Sequence, residues 1–207
     1  MYNNPMKKLL LTSTGFTNTK LADRFLALLG KAPADTRVFF IPTASRTEHE
    51  MFYVRESESE LIQLGIPKEN IVWLDINNVA AVGDLSRFDV IYACGGNTFF
   101  LMQKLREAGL DKKIVDLANQ GKVYVGVSAG SVIAGPDISI AGPFDENDIG
   151  LTDMSGLHLT DKVTSPHCED KEASIIEEFK DKLPYPVVPL TNSQTLEETD
   201  GKSAVVE

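Results

Sequence analysis

Cysteine, histidine and positive charge are all in short supply in this chain, and each shortage excludes a class of chemistry. The two cysteines, Cys94 and Cys168, form neither a disulfide framework nor a metal-ligand spacing. Such usage fits a reducing compartment, and a cytoplasmic location is expected. The three histidines, His49, His158 and His167, do not cluster with the cysteines, so no metal site is expected. Lysine and arginine number 20 against 30 aspartates and glutamates, a formal net charge of −10. That balance disfavours nucleic acid or an anionic membrane surface as a partner, and an acidic ligand would have to meet a local cation. Long apolar runs are missing too. Lys7-Lys8 followed by Leu9, Leu10 and Leu11 resembles the start of a signal peptide. The run stops at Thr12 and Gly15, too short for a signal core or a membrane span. Neither a Gly-Lys-Thr/Ser phosphate loop nor a dinucleotide fingerprint occurs, so no cofactor is expected.

What the chain does have is a substantial core. With 207 residues and 43% hydrophobic content it is expected to form one domain over residues 1–207. Apolar runs alternate with helical patterns. Strands are expected at 9–12, 38–42, 71–76, 90–93 and 123–127, and helices at 18–29, 48–64, 98–108 and 112–119. Val38 to Pro42 is continuously apolar, as in a strand covered on both faces. This alternation predicts an α/β doubly wound, mostly parallel sheet with helices on both faces. Towards the C-terminus, strands are expected at 157–159 and 187–190, a helix at 173–182, and a hairpin over 195–206 turning at Thr199-Asp200-Gly201-Lys202.

The richest stretch is Gly126-Val127-Ser128-Ala129-Gly130-Ser131, directly after the β-branched run of Val123 and Val125. A serine between glycines, where a buried strand turns sharply into a helix, presents its hydroxyl as a nucleophile, and the amides that follow can bind an oxyanion. The same pattern also describes a glycine-rich turn with a capping serine, and the motif alone leaves both readings open. In open α/β sheets the functional crevice lies beyond the carboxyl ends of the strands, where Ser128, Gly95-Gly96-Asn97 and Thr43-Ala44-Ser45 all fall.

A serine nucleophile needs a base. His167, in Ser165-Pro166-His167-Cys168, sits in a loop before a helix and is the leading candidate. His158, flanked by Leu157 and Leu159, reads as a packed or edge-strand residue, and His49 as a solvated helix start. The ring-orienting acid is sought in the loop Pro143-Phe144-Asp145-Glu146-Asn147-Asp148, with Asp145, Glu146 and Asp148 available and Asp137 a further option. Gly95-Gly96-Asn97-Thr98 is either a strand-to-helix turn capped by Asn97 or Thr98, or a substrate-side element whose Gly96 amide joins that of Ala129 in an oxyanion pocket.

Three segments together resemble the dipeptidase E and cyanophycinase-type serine peptidases: Cys94-Gly-Gly-Asn-Thr-Phe99, Tyr124-Val-Gly-Val-Ser-Ala-Gly130 and Ser165-Pro-His167. The resemblance covers roughly residues 90–168. It implies a flavodoxin-like or class I glutamine-amidotransferase-like α/β fold and hydrolysis of small peptides after an N-terminal aspartate, or of β-aspartyl-arginine units. It further implies that Ser128 is the nucleophile, His167 the base, and Gly96 and Ala129 the oxyanion amides. Two departures accompany it. The family's acid falls on Pro143 without gaps, and a shift of two or three residues reaches Asp145 or Glu146. The arginine that holds the substrate aspartate in the dipeptidase E branch has no counterpart, since no arginine follows Arg106. An esterase of the α/β-hydrolase fold shares Gly-x-Ser-x-Gly, but 39 residues (167 − 128) between serine and histidine are too few for that fold. A non-catalytic sensor or binding protein of the same fold is the remaining alternative.

Overall fold

A computed structural model describes residues 7–16, 18–199 and 201–207. Its centre is a seven-stranded sheet built from β1 (Lys8–Thr12), β2 (Val38–Ile41), β3 (Ile71–Trp73), β4 (Val90–Ala93), β5 (Val123–Val127), β8 (Thr195–Thr199) and β9 (Lys202–Val206). The spatial order is β3-β2-β4-β5-β1-β8-β9. The first five strands in that order are parallel, while β8 pairs antiparallel with β1 and β9 antiparallel with β8. A separate parallel pair joins β6 (Val163–Ser165) and β7 (Val187–Pro189).

The strands are apolar on both faces because both are covered. Side chains alternate along a strand, so Leu9, Leu11, Phe39, Ile41 and Ile91 enter one core while Leu10, Val38, Phe40, Val90 and Tyr92 enter the other. The first core is closed by α3 (Thr98–Glu107) and α4 (Leu110–Asn119) through Leu101, Leu105, Ile114 and Leu117. The second is closed by α1 (Thr19–Leu29) and α2 (Glu48–Gln63) through Leu21, Phe25, Val54 and Leu61. Each fully buried side chain of this size contributes about 1.5–3 kcal/mol of transfer free energy. Local signals set the helix ends. Asn18 Oδ1 accepts from Leu21 N at 3.0 Å, and Thr47 with Glu50 forms a reciprocal capping box.

One expectation fails in the C-terminal third. Residues 157–159 form no strand. Leu157 N, His158 N and Leu159 N donate to Ile133 O, Gly135 O and Ala134 O, and His158 takes a φ of +52°. The alternation of buried Leu157 and Leu159 around exposed His158 therefore comes from a loop laid over the segment after β5, without a ladder. The sequence reading also passed over β6, whose three residues are too short to show a period. Helix α6 (Ala173–Lys180) and the β8–β9 hairpin form as expected, while Asp200 of the expected turn lies outside the described residues.

Candidate active site

The carboxyl ends of β1, β2, β4 and β5 converge on a cleft of about 570 Å³, bordered by Ser13, Ser45, Gly95, Gly96, Ser128 and His167. At its floor, β5 runs into the four-residue helix α5 (Ala129–Val132) through Ser128, which has φ +49° and ψ −111°. Only three non-glycine residues among those described have positive φ, and Ser128 and His167 (φ +58°) are two of them. Backbone strain of this kind, roughly 1–3 kcal/mol per residue, persists only where surroundings hold it in place.

Those surroundings are specific. Ser128 N donates to Thr12 O at 3.0 Å, and Ser128 O accepts from Ser131 N and Val132 N at 2.8 and 3.1 Å. Ser131 Oγ lies 2.7 Å from both Thr12 O and Gly126 O and shares its one proton between them. Tyr124 Oη donates to Gly130 O at 2.7 Å; burial pushes its phenol well above the ordinary range, so it keeps the proton it donates. Gly130 is obligatory, since a Cβ there would stand 2.1 Å from Ala93 O. As the first residue of α5, Ala129 has an amide with no partner inside the helix, and it lies beside the serine.

Across the cleft, His167 Nε2 lies 3.0 Å from Ser128 Oγ. The other ring nitrogen, Nδ1, lies 2.7 Å from Oδ1 of Asn192, in the loop between β7 and β8. Asn192 is itself anchored, its backbone N donating to Glu169 Oε1 at 3.1 Å. The histidine loop is tied to β1: His167 N donates to Ser13 Oγ at 3.1 Å, and Ser13 Oγ donates to Leu190 O at 3.1 Å.

The acidic loop does something else. Asp145 Oδ2 accepts from Thr98 N at 2.8 Å, placing its charge at the N-terminus of α3 where free amides attract an anion. Glu146 meets the site only through its backbone carbonyl, which accepts from Asn97 Nδ2 at 2.8 Å. The position opposite Nδ1 is thus held by Asn192, and neither Asp145 nor Glu146 faces it. Asp148 pairs with Arg46, and Asp137 accepts from Ser139 N and Oγ. Asn97 follows the plainer of its two readings. Its Oδ1 caps α3 by accepting from Phe100 N at 2.9 Å, and its own N donates to Ala44 O at 2.9 Å. Gly96, by contrast, borders the cleft with a φ of +129°, and a Cβ there would fall 2.3 Å from the Ala44 carbonyl. His49 and His158 are exposed, on α2 and on the 157–159 loop. Sequence reasoning missed Asn192 and Ser13. Thr191-Asn192-Ser193 looks like any polar loop, and no spacing rule ties it to His167.

The sequence profile of peptidase family S51 matches residues 9–206. The chain belongs to peptidase family S51. An uncharacterized peptidase of Listeria monocytogenes is 35% identical over 199 residues, covering 92% of this S51 peptidase and 94% of the relative. Peptidase E of Shigella flexneri is 30% identical over 166 residues, covering 78% and 69%. In three dimensions, a Listeria monocytogenes EGD-e protein assigned to peptidase E superposes with a TM-score of 0.82 at 31% identity, covering 98% of both chains. A peptidase from an acI-B1 actinobacterium shares the fold, with a TM-score of 0.68 at 20% identity. This S51 chain is a serine-type peptidase on a flavodoxin-like, glutamine-amidotransferase-like α/β sheet. Among the described residues, no helix is long and apolar enough to cross a membrane, and no group of three or more His, Cys, Asp or Glu side chains is placed to hold a metal ion.

Proposed function

We propose that the protein hydrolyses small peptides by acyl transfer through Ser128, with His167 as general base and Asn192 as the group that orients the imidazole. The observation that carries this reading is the 3.0 Å contact between His167 Nε2 and Ser128 Oγ on a strained residue facing an open cleft.

The tautomer follows from the partners. The Asn192 side-chain oxygen only accepts, so Nδ1 carries the proton and Nε2 turns its lone pair to the serine. Ser128 Oγ attacks the scissile carbonyl carbon as its proton passes to Nε2. The carbonyl oxygen becomes an oxyanion, stabilised by the amides of Gly96 and Ala129. Collapse of that intermediate expels the amine, which takes the proton from Nε2, and leaves an acyl ester on Ser128. Water, deprotonated by the same nitrogen, then attacks the ester and restores the hydroxyl. An amide dipole at Nδ1 orients the ring as a carboxylate would, but meets the transient imidazolium with a weaker field.

The test is covalent labelling with a fluorophosphonate probe, the modified residue being located by mass spectrometry. Labelling should fall on Ser128, be lost in Ser128→Ala and slow sharply in His167→Ala. Peptide hydrolysis retained by a folded Ser128→Ala protein overturns the assignment.

A further inference from the structure

The wall of the cleft facing the Ser128–His167 pair is α2, and its chemistry is one-sided. Phe52, Tyr53, Glu56, Ser57 and Glu60 all border the cavity, with Glu50 at the start of the same helix. Residues 52, 56 and 60 follow one another at four-residue intervals, so an aromatic ring and two carboxylates line one stripe of the helix. Phe52 and Tyr53 are 54% and 59% exposed; they meet edge-on, and Tyr53 also meets the ring of His49, but most of both rings faces outward. No lysine or arginine is among the residues bordering the cleft.

The carboxylates differ in what holds them. Glu50 is engaged by the amides of Arg46 and Thr47 at the start of α2. Glu60 Oε2 accepts from Phe16 N at 2.9 Å, and burial raises its carboxyl above the ordinary range, helped by the charge of Glu56. Among the described residues neither Glu56 nor Glu60 forms an ion pair, although their helix neighbours Glu48 and Glu58 do. Two carboxylates without an ion-pair partner, beside two exposed aromatic rings, make a poor surface for an anion. They suit a cation, which the carboxylates attract directly and the rings through their negative faces.

We propose that the cleft selects peptides with a positively charged side chain, held by Glu56 and Glu60 against Phe52 and Tyr53. The proposal rests on the reading of Ser128 and His167 as the reacting pair, because that pair makes this cleft the place where substrate sits. Of the two substrate classes that the sequence resemblance implies, it sets aside the N-terminal aspartate. An aspartate side chain entering here would meet two like charges and no bordering cation.

Binding to Ser128→Ala protein, measured by calorimetry, tests this without requiring turnover. The probes are Lys-Ala and Ala-Lys, their norleucine counterparts, Asp-Ala, and an Nα-acetylated form of each. Lysyl peptides should bind about fivefold or more tightly than norleucyl ones at low ionic strength, and the margin should shrink in 0.5 M salt. A preference that survives acetylation places the side-chain charge at the carboxylates, and one that acetylation abolishes overturns the proposal. Glu56→Gln combined with Glu60→Gln should remove the preference while leaving norleucyl binding in place. Should the double variant fold poorly, Glu56→Lys alone, at an exposed site, should shift preference towards Asp-Ala. Equal affinity for lysyl and norleucyl peptides, tighter binding of Asp-Ala by the Ser128→Ala protein, or no binding of any probe overturns the proposal. Fluorophosphonate labelling of the unmutated protein is scored separately, so a failed specificity and a failed catalytic assignment give different results.

Discussion

The strained backbone at Ser128 can be measured apart from its chemistry. Ser128→Ala and Ser128→Gly both remove the hydroxyl and its contact with His167, so both should abolish turnover. They differ in the backbone. Alanine must still adopt φ +49°, ψ −111°, which costs a residue with a Cβ roughly 1–3 kcal/mol, whereas glycine enters that region freely. Against this, glycine loosens the unfolded chain, which lowers stability by about 0.4–1 kcal/mol. The balance leaves Ser128→Gly more stable than Ser128→Ala by about 0.5–2 kcal/mol. For a chain of this length that corresponds to a melting temperature higher by about 1–8 °C. The assay is paired thermal unfolding by circular dichroism in one buffer, with peptide hydrolysis confirming that both variants are inactive. A control at Ala27, inside α1, should show the opposite sign, because glycine within a helix is destabilising. If Ser128→Gly melts at or below Ser128→Ala, the residue is not strained, and the account of how the turn presents its hydroxyl fails.

Other perturbations separate the neighbouring roles. Asn192→Ala should lower kcat by about 10–1000-fold and slow fluorophosphonate labelling without changing the melting temperature greatly. Asp145→Ala should cost about 1 kcal/mol through the lost helix-end contact and keep hydrolysis near wild type; the reverse pattern in kinetics and melts would return the acid to the 143–148 loop. Gly96→Ala places a Cβ against the Ala44 carbonyl, so kcat should fall by about 100-fold or more as the amide is displaced, with KM changing less; an unchanged kcat rules out an oxyanion role. Glu60, its carboxyl raised by burial, favours the folded state in its protonated form, and that contribution is lost as pH rises through its folded value. Glu60→Gln should therefore melt above wild type at pH 7 and converge with it below about pH 4. A constant difference across that range contradicts the sign.

The parts of the fold that could be read from sequence were those with a long period or a hard stop. The five parallel strands are continuous apolar runs because helices cover both faces, and α1 announces itself through Asn18, Leu21, Phe25 and Gly30. The serine turn was legible for a steric reason, since only glycine fits against Ala93 O. The partner of His167 was not. Asn192 reaches the ring from a loop 25 residues downstream of it, through the β6–β7 pair, and nothing local distinguishes it from Thr191 or Ser193. Asp145 misled for a physical reason as well. A carboxylate near a functional loop satisfies helix amides as readily as an imidazole, and the sequence does not say which lies within reach.

Thr12 and Ser13 carry a consequence for how this enzyme can vary. The backbone oxygen of the first receives the amide of the nucleophile, and the hydroxyl of the second receives the amide of the base. Two adjacent residues at the end of one central strand thereby act as a gauge that sets the spacing of groups 39 positions apart in sequence (167 − 128). The chain between them never has to transmit that spacing. Its exposed bend near Gly150 can lengthen, shorten or be exchanged, and the reacting atoms stay where the strand puts them. Specificity in this scaffold is therefore free to drift in its loops while the chemistry is held by a two-residue ruler.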